Sequence, residues 1–223
     1  MIFTANKNNI QKMQDYVDLY VPKLEEMLDG EIGKITVEKI SMRKMIGAPE
    51  SKSSLVKAID SIDSFFFSIL TRKNYAGIKG SSLMLNPYAY DFDNENTLRV
   101  TAVHEACHRW VELNNRNLAG RQLQYKDVSE EFKTFDEGFA EAVSLDVFRD
   151  HYGIDISDEI SRAFVQHSLP ANRRYNVGYI LITDIMRKIG VDGVIDFMKS
   201  LKPDNDDASF RKLEKALTAK RVA

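Results

Sequence analysis

The chain has 223 residues, 43% of them hydrophobic, which is enough for one large domain or two small lobes sharing a cleft. A formal net charge of -2 leaves no basic field to attract nucleic acid or an anionic membrane. One cysteine, Cys107, rules out an internal disulfide, and no apolar run approaches the ~20 residues that span a bilayer. The N-terminus, MIFTANKNNIQK, has no apolar signal core, so the expected setting is soluble and cytoplasmic.

Taken in order, residues 8–29 place Ile10, Met13, Val17, Tyr20, Val21, Leu24 and Leu28 at helical spacing. Pro22 should kink or split that helix, and Asp29-Gly30 should end it. Residues 33–43 alternate through Ile35 and Val37, with Ile40 off phase, and predict a half-exposed strand. A loop over 47–53, a short helix through Leu55, Ile59 and Ile62, and a strand around Phe65–Leu70 are expected next. After a turn through Asn74 and Gly77, residues 81–87 read as an edge strand, stopped at Asn86-Pro87. The acidic stretch DFDNEN then leads into a helix capped by Asn94 or Asn96.

From Thr97 onward the pattern is almost wholly helical. A polar linker covers 114–127, and Ser129 should cap a helix reaching about Tyr152. Further helices are expected near 158–168, from Pro170 to Gly190, at 191–201 and at 207–220. The fold class is therefore α+β. Residues 1–96 form a mixed half with a small β-sheet, residues 97–223 a helical half, and the helix after Thr97 lies at their junction.

That helix carries the chemistry. His104-Glu105-Ala106-Cys107-His108 matches H-E-x-x-H, a pattern that sets two imidazoles one turn apart on one helix face. His104 and His108 can grip one metal ion. Glu105 points about 100° away from His104, where it can flank the metal and take a proton from water. A polar helix can carry two histidines by chance. Here, though, the chain has four histidines, and only His151 and His167 lie elsewhere. Cys107 reads as a small core residue.

Zinc catalysis usually needs a third protein ligand and one open position. The pattern H-E-x-x-H-x-x-G-x-x-H is excluded, because Val111 and Asn114 occupy its glycine and last histidine positions. Residues 135–142, FDEGFAEA, place Glu137 and Glu141 one turn apart. Glu137 can complete the site, and Glu141 can hydrogen-bond the far nitrogen of a ligating histidine. Acidic helix residues usually face solvent. Phe135, Phe139, Ala140 and Ala142 instead suggest a buried helix, in which unpaired glutamates would be costly.

HEACHRW followed by DEGFAE resembles the glutamate-type zincins, in particular the thermolysin-like catalytic domain of the aminopeptidase N family. Tyr175-Asn176-Val177-Gly178, a helix to Gly190 and then VDGVIDFMKSL resemble that family's tyrosine segment, so the likeness spans about residues 80–220. The resemblance implies a zincin-like metallopeptidase catalytic domain. It implies Zn2+ on His104, His108 and Glu137, with Glu105 as general base and Tyr175 as oxyanion donor. His167 is a rival to Tyr175, and His151 reads as a surface residue. The expected activity is hydrolysis of a peptide or protein substrate, with no nucleic-acid or membrane partner. The alternatives are a non-peptidase zinc amidohydrolase on the same site, or a catalytically silent zinc-containing binding protein. Two departures stand out. The gap from His108 to Glu137 is longer than is usual in the family, which keeps Asp136 and Glu141 open as the third ligand. The family's amine-binding G-A-M-E-N is also absent, and YAGIKGSSLMLN lies where it would fall.

Overall fold

Helix α1, Ile2–Met27, begins ahead of the apolar stripe and runs unsplit through Pro22 in the computed structural model. Of the expected kink or split at Pro22, the split does not occur, for a physical reason. Pro22 and Asp18, the residue whose carbonyl loses its partner, both lie on the solvent side, where water can satisfy that carbonyl. The opposite face, Met13, Val17, Tyr20, Val21, Leu24 and Leu28, is buried on both sides of the proline and holds the helix together. The structure describes residues 2–40, 76–85, 94–118, 127–144 and 173–204. The loop, helix and strand expected between 47 and 70, the helix near 158–168 and that at 207–220 lie outside these residues, as do His151 and His167.

The chain turns after α1 at Asp29, with φ 47°, and the Glu25 carboxylate accepts from the Ile32 and Gly33 amides at 2.7 and 2.9 Å. Strand β1, Thr36–Lys39, follows, and Ile35, Val37 and Ile40 are all buried. Gln14 of α1 fastens it: the side-chain amide donates to the Ile35 carbonyl at 3.0 Å and accepts from the Val37 N–H at 2.7 Å. Strands β2, Ala76–Lys79, and β3, Ser82–Leu85, form an antiparallel hairpin turning at Gly80-Ser81. Gly77, expected in a turn, pairs with Met84 inside this hairpin.

The three-stranded sheet has the order β1-β3-β2, with β1 parallel to β3. β3 is therefore the middle strand and not the expected edge. Its sequence is consistent with that place: Leu83, Met84 and Leu85 are buried on both faces, as a covered strand requires. Among the described residues, β2 and β1 flank it.

Among the described residues, four helices and this sheet make an α+β fold. Helix α2, Glu95–Asn114, is capped by Asn94, whose side chain accepts from the Thr97 N–H at 3.0 Å. It packs on α1, on β2 and on α3, Glu130–Ala142. The α2–α3 contact includes Trp110 against Phe139, ring centres 5.4 Å apart. Ser129 caps α3 through a 3.1 Å bond from the Phe132 N–H. Helix α4, Arg173–Ser200, is broken at Gly190, where φ is 78° and ψ 175°; the sequence places a helix end there. Buried Asn115, beyond the end of α2, donates to the Met198 and Leu201 carbonyls at 2.6 and 2.9 Å, tying α2 to the far end of α4. No helix among the described residues is long and apolar enough to cross a membrane.

Candidate metal centre

Helix α2 is buried over most of its circumference. Leu98, Ala102, Ala106 and Trp110 form one apolar row and Val103, Cys107 and Val111 the next. His104 and His108 flank these rows and face α3. Helix α3 comes very close to α4 as well, and at their closest approach both residues are glycines. A Cβ on Gly138 would overlap the Gly178 carbonyl carbon, and one on Gly178 would overlap the Thr134 carbonyl oxygen. Two glycines thus bring α3 and α4 into backbone contact and hold α3 between α4 and the histidine helix.

The side chains of α2 and α3 converge. His104 Nε2 and His108 Nε2 are 3.2 Å apart. Glu137 Oε2 lies 3.5 Å from the first and 3.4 Å from the second. Bonds of ~2.0–2.1 Å to a tetrahedral zinc give a ligand–ligand edge of about 3.3–3.4 Å, so the triangle has the size of one face of that tetrahedron. The side chains of His104, His108 and Glu137 are 13%, 15% and 12% exposed.

The far side of each ring explains its orientation. His104 Nδ1 is 3.3 Å from Glu141 Oε2, and His108 Nδ1 is 2.9 Å from Asp136 Oδ2. A carboxylate only accepts, so each Nδ1 carries a proton, and in the neutral form of each ring Nε2 presents a lone pair. Two lone pairs and a carboxylate oxygen then face one another at 3.2–3.5 Å. Such a donor set repels itself unless a cation or protons sit within it. His104, His108 and Glu137 are the one group that could hold a metal ion among the described residues.

Charge states in the metal-free chain follow from these contacts. Burial alone would lower His104, but hydrogen bonds to Glu137 and Glu141 outweigh it and bring its pKa to about 9. Burial likewise acts against a charged His108, while Asp136 and Glu137 carry its pKa well above the ordinary value. Glu137 would be raised by burial, yet the two imidazoles hold it far below the usual carboxylate range. Protons thus compete with a metal for the same atoms.

Glu105 stands apart from the three converging groups. It is buried, and burial raises its pKa against the opposing pull of the two histidines and of a hydrogen bond from the Ile78 backbone N–H. That bond brings β2, not β3, to the site. Cys107 is fully buried, and its thiol pKa is pushed well up by burial and then by Asp136 and Glu105. Tyr175 falls in the first turn of α4, but its side chain lies outside the described residues.

The sequence reading brings His104, His108, Glu137 and Glu141 together as expected in space. It missed the contact of Asp136 with His108 and treated Asp136 only as a rival ligand. A signal was present: two metal-facing histidines need two Nδ1 partners, and Glu141 serves only one. Comparison with protein-family models, curated proteins and solved structures finds no match to the chain.

Proposed function

We propose that this protein is a zinc-dependent metallopeptidase of the glutamate type, built as a zincin-like catalytic domain. The observation that carries the reading is the triangle of His104 Nε2, His108 Nε2 and Glu137 Oε2, with edges of 3.2–3.5 Å. Its donor chemistry, two imidazoles and one carboxylate, suits Zn2+. Bound zinc supplies Lewis acidity, acidifying water and polarising a carbonyl. Glu105, next to the ligands but not among them, takes the proton from the attacking water and later returns it to the leaving nitrogen. Its raised pKa suits both halves of that exchange. Glu141 and Asp136 keep the two rings turned the right way. Tyr175 is assigned to the oxyanion, where a donor matters most, on the strength of its place in the sequence ahead of Gly178. The substrate class is a peptide or an exposed protein segment.

The test combines zinc content by native mass spectrometry with cleavage of a mixed peptide library. One zinc per chain and chelator-sensitive cleavage are expected. A zinc-loaded chain that cuts no peptide would overturn the peptidase reading and favour a small-amide hydrolase or a silent binding protein.

A further inference from the structure

We infer that Ile78 of β2 is a positioning residue: its backbone N–H, turned outward from the sheet, holds the Glu105 carboxylate where it exchanges a proton with water and with the leaving nitrogen. The inference rests on the peptidase reading above and adds to it a main-chain group on a different element.

The bonding of the sheet turns that N–H outward. Alternate residues of β3 direct their backbone groups to opposite neighbours. The Ser81 and Leu85 carbonyls accept from the Thr36 and Ile40 amides, on the β1 side, at 2.8 and 2.9 Å. With a period of two, Leu83 faces β1 as well, whereas Ser82 and Met84 face β2. The register pairs Ser82 with Lys79 and Met84 with Gly77, so Lys79 and Gly77 bond to β3. Ile78, opposite Leu83, therefore points its N–H away from β3, to an edge that no other strand covers among the described residues.

On that edge the amide meets Glu105, whose carboxylate accepts its hydrogen bond and which is only 7% exposed. The Ile78 side chain packs against the hydrophobic core, so the donor sits on an anchored strand. A glutamate side chain is flexible, and a general base must stay within reach of the proton it takes. Helix α2 fixes only the direction in which Glu105 leaves it, about 100° from His104. The Ile78 amide fixes the other end. One N–H uses a fraction of what a carboxylate can accept, so capacity remains for water.

Ile78→Pro deletes the N–H at a position where the ladder does not use it, a substitution that edge strands tolerate. Ile78→Ala keeps the N–H and trims the side chain. In the metal-free chain, amide hydrogen exchange followed by NMR should show the Ile78 N–H protected in the parent. In Glu105→Ala it should exchange about 10–100-fold faster, with Gly77 and Lys79 unchanged. In the zinc-loaded chain, Ile78→Pro should hold zinc at the parent stoichiometry and lower kcat by about 10–100-fold with KM near the parent value. Ile78→Ala should stay close to the parent. The loss from Ile78→Pro should vanish when the substitution is made in Glu105→Gln. Equal exchange at Ile78 with and without the Glu105 carboxylate would overturn the inference. So would parental kcat in Ile78→Pro, a kcat loss that persists in Glu105→Gln, or a change in KM alone, which would make Ile78 a substrate contact. If Ile78→Pro does not fold, the exchange comparison decides. A zinc-loaded parent that cuts no peptide would overturn the peptidase reading itself, and the role of Ile78 with it.

Discussion

Glu105 and Glu137 are the same amino acid within one small site, and their surroundings differ in the way the proposed base and ligand roles need. Glu137 lies between two imidazoles that favour its charge, whereas Glu105 sits against the Ile78 amide in a setting whose burial disfavours charge. Glu105→Gln should therefore keep zinc while lowering turnover by ~10²–10⁴-fold. Turnover measured beside zinc stoichiometry checks this, and parental turnover with zinc bound would contradict it. The histidines predict a pH effect as well. In the metal-free chain His104 is raised from 6.5 to about 9. The stability its charge contributes is complete below about pH 6.5 and is lost as pH rises through about 9. Glu137 is depressed, so its contribution is present above the ordinary carboxylate range and lost only in strong acid. Zinc needs both rings neutral. Between about pH 6.5 and 9, the melting temperature in chelator should fall while the gain from added zinc grows. Melting curves with and without zinc across that window are the check, and a metal-free midpoint that climbs there would count against the cluster.

At the scale of elements, the site depends on how closely three helices approach. Gly138 and Gly178 let α3 and α4 meet backbone to backbone, and Gly138 follows Glu137 directly. Gly138→Ala adds a methyl group where the Gly178 carbonyl already sits, so α3 must shift. The expected loss is ~1–3 kcal/mol or more, as for overpacked cores, together with weaker zinc binding as Glu137, Asp136 and Glu141 move as a unit. Thermal melting and zinc titration of the variant test this. A variant as stable and as zinc-tight as the parent would show that the crossing has slack.

On the proposed peptidase reading, the parts of the molecule around the site bear on what kind of peptide can enter. Where the resembling family has an amine-binding glutamate, this chain has YAGIKGSSLMLN, which folds in part into the β2–β3 hairpin. β2 touches Glu105, the proposed general base, through Ile78 and offers no carboxylate of its own, its residues being Ala76, Gly77, Ile78 and Lys79. Cleavage should therefore not require a free substrate N-terminus. N-acetylated and free forms of one cleaved peptide should be hydrolysed at comparable rates, and strict dependence on the free amine would refute this.

The helices that carry the site were legible because their signals are local. H-E-x-x-H sets two rings on one face by helix geometry alone, Asn94 and Ser129 announce helix starts by bonding their own next turn, and Gly190 announces an end. The apolar neighbours of Glu137 and Glu141 likewise marked α3 as buried before any contact was known. What the tertiary structure decided are relations between distant segments. Alternation cannot give strand order, so β3 emerged as the middle strand only once β1 was seen to pair with it. The missing N–H of Pro22 marks a possible break, but only the packing of both halves of α1 against the core shows why the helix continues. Asp136 and Glu137 are adjacent in the chain and equally acidic. Which of them faces the inner nitrogens and which the outer depends on the rotation of α3 against α2, a relation between two helices.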